Sequence, residues 1–298
     1  MLKREPDDLS ERCFKNLGFG LGLRAQHYSR ILSNQSSVDW FEAISENYMG
    51  LANCPPGPPL EKLLKVRERF PVVLHGVSLN IGSADPVDSN YLKNLNELIA
   101  IVQPEWVSDH ICWTGVNGQN LHDLLPLPYT QDVISHVCEK IDAVQNCLRR
   151  QMIFENVSSY ITFKNSEMPE WQFITEIANR SGCAILLDVN NVYVSAMNHG
   201  FDPLQFIRAL PTEKIAQIHL AGHSVGEDLL IDTHDNFVCD DVWRLYDKTI
   251  ALHGPKSTMI EWDDKIPEYD VLETEIFKAK KYWPQIAARK INEQPLFS

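Results

Sequence analysis

The sequence predicts a single (β/α)8 TIM barrel, an α/β fold. Two observations carry that expectation: enough apolar residue for one large closed core, and eight short apolar runs separated by longer amphipathic stretches. A chain of 298 residues that is 44% hydrophobic is long for an ordinary domain but normal for one closed α/β barrel. Short apolar runs, each followed by turn or polar residues, are the pattern of repeated β-α units around a parallel sheet.

The runs are Leu17 to Leu23, Val38 to Glu46, Val72 to His75, Trp106 to His110, Met152 to Asn156, Ala184 to Asn190, Ile215 to Leu220, and Thr258 to Trp262. Eight parallel strands suffice to close a barrel. Between them, apolar residues spaced by three and four predict helices over Leu60 to Arg69, Tyr91 to Ile101, Thr130 to Arg149, Glu170 to Ser181, Pro203 to Ala209 and Asp240 to His253. A last helix is expected over Val271 to Tyr282. The proline-rich CPPGPP that begins at Cys54 lies between a strand and a helix of the same barrel and reads as a loop. The whole chain, 1–298, reads as one domain, with the barrel over about 17–283 and short extensions at both ends.

Net charge is −13 and no basic run interrupts it, so the electrostatic footprint of a nucleic-acid or anionic-membrane partner is missing. The start, MLKREPDDLSERCF, is charged where a secretory signal is apolar, and nowhere do about eighteen apolar residues run together; a cytoplasmic protein is expected. The seven cysteines are odd in number, scattered and free of any C-x-x-C pair. That argues against a disulfide framework and against a thiolate zinc site, so a metal here takes nitrogen and oxygen donors.

The informative fact is where ionisable residues fall. In a closed parallel barrel the C-terminal ends of all strands converge on one mouth, and nearly every run from the third onward ends in His, Asp or Glu. His75, Asp109 with His110, Glu155 with Asn156, Asp188 with Asn190 and Asn191, His219 and Glu261 all fall there. Asp232 and His234, in IDTHD, lie on the long connection before the last run and reach toward the same mouth.

Imidazole mixed with carboxylate suits iron, manganese or zinc, whereas an all-oxygen set suits magnesium or calcium. Four histidines and four carboxylates exceed the needs of one ion and imply two or three, bridged by carboxylates. A lone buried His or Glu at a strand end is more often a hydrogen-bonded structural residue than a ligand. The joint pattern reverses that weighting, because so many buried carboxylates without cations would cost several kcal/mol each, and few Lys or Arg stand beside them in sequence.

Asp109, Asn156, His223 and Asp263 are expected as extra ligands or as partners that fix imidazole tautomers. His27, His122 and His199 are expected to line the mouth or touch substrate, with a structural role the alternative. His136 and His253 fall on helices, where a solvated face is the default. The glycine-rich GFGLGLR, Gly18 to Arg24, lacks the helix N-terminus that would hold phosphate and reads as a packing feature. No Ser or Cys stands in a convincing nucleophile setting.

At these residues the chain resembles the multinuclear non-heme iron-dependent oxidative enzymes. The likeness rests on GLGLR-x-x-HY, FEAISENYM, LHGVSLNIGSADP, VSDHICW, LHDLLPLPYT, FENVSSY, LLDVNNVYVSAMNHGFDP, IHLAGH, IDTHD and IEWD, in the family's order and spacing over nearly all of the chain. The family includes the methanobactin oxidase and enzymes that excise a cysteine β-carbon. The resemblance implies a metal site at the C-terminal mouth with two or three iron ions, ferrous with a ferric neighbour, and O2 as cosubstrate. By motif it implies His75, His110, Glu155, Asp188, Asn191, His219, Asp232, His234 and Glu261 as ligands. It further implies oxidation of cysteine in a ribosomally made precursor peptide, and a small partner protein that recognises the peptide's leader.

Two rivals stand beside it. One is a non-redox di- or trinuclear metalloenzyme on the same barrel, such as a sugar isomerase or a phosphodiesterase; the other is a module that only binds or delivers metal. Zinc or manganese in the protein, with no oxygen consumption, favours the first.

Overall fold

A computed structural model describes residues 14–50 and 57–283. The charged N-terminal segment with Cys13, the first residues of CPPGPP with Cys54, and the polar C-terminal end lie outside the described residues.

In chain order the elements are β1 (Phe19–Gly22), α1 (Tyr28–Leu32), β2 (Trp40–Ile44), α2 (Pro58–Arg67), β3 (Val72–His75), α3 (Ser89–Val102) and β4 (Val107–His110). A hairpin, β5 (Trp113–Val116) and β6 (Gln119–Leu125), precedes α4 (Gln131–Leu148), β7 (Ile153–Glu155), α5 (Glu170–Ser181) and β8 (Ala184–Asp188). Then come α6 (Val189–His199), α7 (Pro203–Ala209), β9 (Ile215–Leu220), a second hairpin of β10 (Ser224–Val225) and β11 (Leu230–Ile231), α8 (Asp240–His253), β12 (Ser257–Ile260) and α9 (Tyr269–Lys278). Strands β1, β2, β3, β4, β7, β8, β9 and β12 close into one parallel barrel, in the order β1-β12-β9-β8-β7-β4-β3-β2. All eight apolar runs form barrel strands.

Alternation along each strand divides the barrel residues between two cores. One set, including Phe41, Leu74, Phe154, Leu187 and Leu220, packs outward on the helices. The other, Leu17, Trp40, Val73, Trp106, Ile153, Leu186, Ala216 and Met259, fills the lower interior as an apolar plug. Two residues beyond members of the plug stand Glu42, His75, Glu155, Asp188 and Glu261, all buried. The inward face therefore changes from apolar to ionisable within one layer of side chains. In β9 the pairing steps from Ile185↔Ile215 to Leu186↔Gln217, and that extra residue turns His219 rather than Ile218 inward.

Several boundaries differ from the sequence reading, each for a local reason. The second run stops being strand at Ile44 and turns through Ser45–Asn47, so its acid on the inward face is Glu42. The run through Asn190 ends at Asp188, whose Oδ1 accepts the Asn191 N–H at 2.6 Å and caps α6. α6 itself, α1 and both hairpins were not expected. The last helix starts at Tyr269 and passes at Lys278 into a tight turn, Ala279–Lys281. His253 is not solvated: it is buried, with Nδ1 2.8 Å from Thr212 Oγ1 and Nε2–H donating to Ile207 O at 2.9 Å. His136 is half-buried and donates to Ser83 O at 2.7 Å. Among the described residues no helix is long and apolar enough to cross a membrane.

Candidate metal centre

Glu155, the last residue of β7, is the hub of the mouth. Its Oε2 lies 3.4 Å from His75 Nε2, 3.4 Å from His110 Nε2 and 3.5 Å from His219 Nδ1. His219 Nδ1 is also 3.0 Å from Glu261 Oε2, which in turn is 3.2 Å from His234 Nδ1. Donor atoms fall into groups compact enough to hold an ion: His75, His110 and Glu155; Glu155, Asp188, His219 and Glu261; Glu42, His75 and Glu261; His234, Glu261 and Asp263. Shared members make these one continuous cluster able to hold more than one metal ion.

The hydrogen bonds around three of the histidines leave one nitrogen of each turned to the cluster. Ser108 Oγ donates to Leu74 O at 3.3 Å, so it accepts from His75 Nδ1–H at 2.8 Å. His110 Nδ1–H donates to Gly76 O at 3.2 Å, and His219 Nε2 lies 3.2 Å from Glu42 and 2.7 Å from the Gln217 amide nitrogen. Fixing one nitrogen fixes the tautomer and offers the other as a lone pair.

Six buried polar atoms make no well-formed hydrogen bond here, four of them meeting only one another or a neighbouring carboxylate at ion-pair distance: His75 Nε2, His219 Nδ1, His234 Nε2, Glu155 Oε2, Asp188 Oδ2 and Asn191 Oδ1. Orphaned buried groups are rare because each costs its full desolvation. Their concentration at one mouth of the barrel fits metal ligation, and the nitrogen and oxygen donors suit iron, manganese or zinc. Electrostatics agree. Burial pulls His219 down, yet Glu42, Glu261 and Glu155 outweigh it and hold its pKa well above the usual range. His234 is likewise raised despite burial, by Asp232 and Glu261. Burial pushes Glu155 up, and Asp188 well up. Burial acts the same way on Glu261, but His219 and His234 overcome it and hold its carboxyl well below the ordinary range. Among the described residues, Glu42, Glu155 and Glu261 have histidines rather than Lys or Arg as cationic neighbours.

Asp232 Oδ1 stands 2.8 Å from His234 Nε2 and accepts from Asn190 Nδ2 at 2.7 Å. Tyr160 Oη accepts the Asp232 N–H at 2.9 Å, tying the loop after β7 to this edge. His223 Nδ1 is 2.8 Å from Asn190 Oδ1, one step behind Asp232. Asp263, partly exposed, pairs with Arg24 and lies 3.2 Å from His234 Nδ1.

Other expected residues stand elsewhere. Asp109 alternates away from the interior: its carboxylate accepts the His110 and Leu79 N–H groups and shares a buried niche with Tyr91 and Glu46. It therefore supports the loop after β3 rather than the cluster. Asn156 is used at both ends, donating to Asp188 O at 3.0 Å and accepting from Asp188 N at 2.9 Å, so it clamps β7 to β8 instead of offering a donor. His27 packs on Tyr269 and lines a polar cleft with Gln26 and Arg30. His122 is exposed on β6. His199, the last residue of α6, hydrogen-bonds Ser159 and borders an apolar cavity of about 230 Å³ with Tyr129, Trp171 and Phe201.

Sequence reasoning missed Glu42. A carboxylate in the middle of the apolar run VDWFEAISE was the available signal, obscured by the expectation that chemistry sits at strand ends.

A closed parallel barrel with this cluster at its C-terminal mouth defines a TIM-barrel protein whose buried His, Glu and Asp groups could hold more than one metal ion. Residues 18–283 match the family described as RiPP precursor modification enzyme MbnB/TglH/ChrH, and the chain belongs to that family. It is 54% identical over 251 residues to a UPF0276 protein of Anaeromyxobacter sp. (strain Fw109-5), covering 84% of this chain and 87% of the relative. It is 52% identical over 267 residues to a UPF0276 protein of Caulobacter vibrioides, covering 89% and 94%. Among solved structures it resembles L-ribulose 3-epimerase (TM-score 0.61, 14% identity, 93% of this chain and 99% of that one). It also resembles the zinc-containing IOLI protein (TM-score 0.56, 12% identity, 91% and 98%). At such identities these structures speak for the fold alone.

Proposed function

We propose that this chain is an O2-dependent multinuclear iron oxidase that modifies cysteine residues of a ribosomally synthesised precursor peptide. The observation that carries the proposal is the set of six buried donor atoms without a well-formed hydrogen bond that converge in the mouth, in a chain of the RiPP precursor-modifying family. Two to three iron ions, Fe2+ with Fe3+, would be held by His75, His110, Glu155, Asp188, Asn191, His219, Asp232, His234 and Glu261. When bound, iron supplies redox exchange with O2 and a Lewis-acidic seat for a thiolate.

The protein's own part is positioning. Ser108, Gly76 and Glu42 orient three imidazoles; Asp188 serves the cluster through one oxygen while capping α6 with the other; Tyr160 holds the Asp232 edge. The plug of Trp40, Val73, Trp106 and Met259 closes the floor, so the peptide enters from the mouth alone. A partner protein that binds the leader is part of the proposal, and full-rate turnover by the purified chain alone refutes that part.

The test is metal analysis with Mössbauer spectroscopy on protein prepared without oxygen, followed by oxygen uptake with a cysteine peptide encoded beside the gene. Two or more irons per chain and peptide-dependent uptake are expected. A zinc or manganese site inert to oxygen would refute the oxidase and return the site to non-redox chemistry.

A further inference from the structure

We infer that Glu42 is a positioning residue for the metal centre, holding His219 by its far ring nitrogen so that Nδ1 is presented to an ion shared with Glu155 and Glu261. The inference rests on the metal-binding part of the proposal above. Glu42 sits on β2 and His219 on β9, with β1 and β12 between them in the barrel order, so the carboxylate reaches His219 through the barrel interior. Both of its oxygens lie 3.2 Å from His219 Nε2.

A chain of donors fixes the orientation of Gln217 behind the ring. The Trp106 indole N–H can only donate, and it donates to Gln217 Oε1 at 2.6 Å. The Gln217 amide nitrogen therefore faces the other way, donates to Glu42 Oε2 at 2.6 Å and stands 2.7 Å from His219 Nε2. Gln217 and Glu42 both reach His219 Nε2, and the assignment gives the Nε2–H to Glu42, an acceptor only, with both oxygens in reach of the ring. A neutral imidazole carries one proton, so Nδ1 is left with a lone pair. That atom has no hydrogen-bond partner, yet it faces carboxylate oxygens at 3.0 and 3.5 Å. A lone pair against two anionic oxygens is repulsive until a proton or a metal ion stands between them. A carboxylate behind a ligating imidazole locks the ring and raises its basicity, and losing it costs about 10–100-fold in metal affinity.

Glu42 also lies close enough to His75 and Glu261 to share an ion directly, and the experiment separates the two roles. Full-length metal-free protein, wild type and Glu42→Gln, is titrated with Co2+ under nitrogen while the visible absorption of the bound ion is followed, and the metal-free forms are melted in parallel. The assignment expects the same number of cobalt ions at saturation, weaker binding by about 10–100-fold for one of them with an altered spectrum, and a metal-free melting temperature no lower than wild type. Unchanged affinity overturns it. So does the loss of one whole ion at saturation, which would make Glu42 a ligand, or a metal-free protein that melts early but binds cobalt normally, which would make it structural. Wild-type protein that takes up no cobalt at all refutes the metal-centre reading itself.

Discussion

Replacing Glu155 with glutamine should change the sign of its effect on stability according to whether metal is bound. In the metal-free protein Glu155 is fully buried, and Glu261 and Asp188 crowd it with further carboxylates. The effective penalty for a buried ion is several kcal/mol, part of which the His219 charge returns. A neutral amide of the same shape should therefore stabilise the metal-free form by roughly 1–2 kcal/mol. At about 2–4 °C per kcal/mol for a large domain, that is a rise of roughly 2–8 °C.

In the loaded protein the balance reverses. Glu155 is the only anion in the group it forms with His75 and His110, so its loss removes the charge that holds that ion. A ligand at a hundred times its Kd stabilises by about 2.7 kcal/mol, and the variant should forfeit most of that, falling below wild type. The assay is calorimetric melting of chelator-treated and metal-titrated protein, with metal per chain measured on the same samples. A variant less stable than wild type without metal, and equally stabilised by metal, would refute the reasoning and make Glu155 an ordinary structural acid.

Three further outcomes follow from single sites. Gly20→Ala should cost about 1–3 kcal/mol or more by denaturant melt, because a Cβ there would fall within the Trp40 indole; a neutral result would mean the GFGLGL run is not a packing feature. Asp188→Asn should leave the metal-free fold intact, since Asn caps a helix as well as Asp, while Asp188→Ala should lose about 0.5–2 kcal/mol; both should weaken metal uptake, and uptake unchanged in both would remove Asp188 from the ligand set. Burial pushes Glu170 up to about 8 from its usual 4.5, so its contribution to stability is fully present below about pH 4.5 and is lost as pH rises through 8; Glu170→Gln should abolish that fall, on the order of 3–5 kcal/mol at pH 9, and equal pH profiles of the two proteins would refute it.

The barrel was legible in the sequence because its interior is alternation made visible: eight runs of the right length, with acid or imidazole where the inward phase reaches the mouth. What stayed hidden depended on phase and on local competition. Asp109 and His110 are adjacent and equally polar, and only the period of two decides that His110 faces the cluster while Asp109 faces Tyr91 and Leu79. Asn190 and Asn191 extend an apolar run, but Asp188 caps the backbone there, and a helix follows where strand was expected. The bulge that turns His219 inward at β9 leaves no mark in composition. The loop hairpins carry only two to seven residues per strand, too short for a periodic signal.

The same hydrogen bonds that build the mouth explain why it is prepared for cations before any arrive. Ser108, the Gly76 carbonyl and Glu42 occupy the far nitrogen of His75, His110 and His219 with groups of the protein itself, so these rings need not turn to accept an ion. The inward atoms then hold charge that must be compensated. In the metal-free protein protons do this: His219 and His234 keep theirs above the ordinary imidazole range, and Glu155 and Asp188 take theirs up more readily than exposed acids. Metal ions would compete with these protons for the same lone pairs, so loading would be an exchange in which protons leave as ions enter. The apolar plug one layer below sharpens that exchange, because no solvent beneath the cluster can share the charge. A purely structural network would have paired its donors and acceptors with one another; here the pairing stops one atom short on residue after residue, and always on the side that faces the mouth.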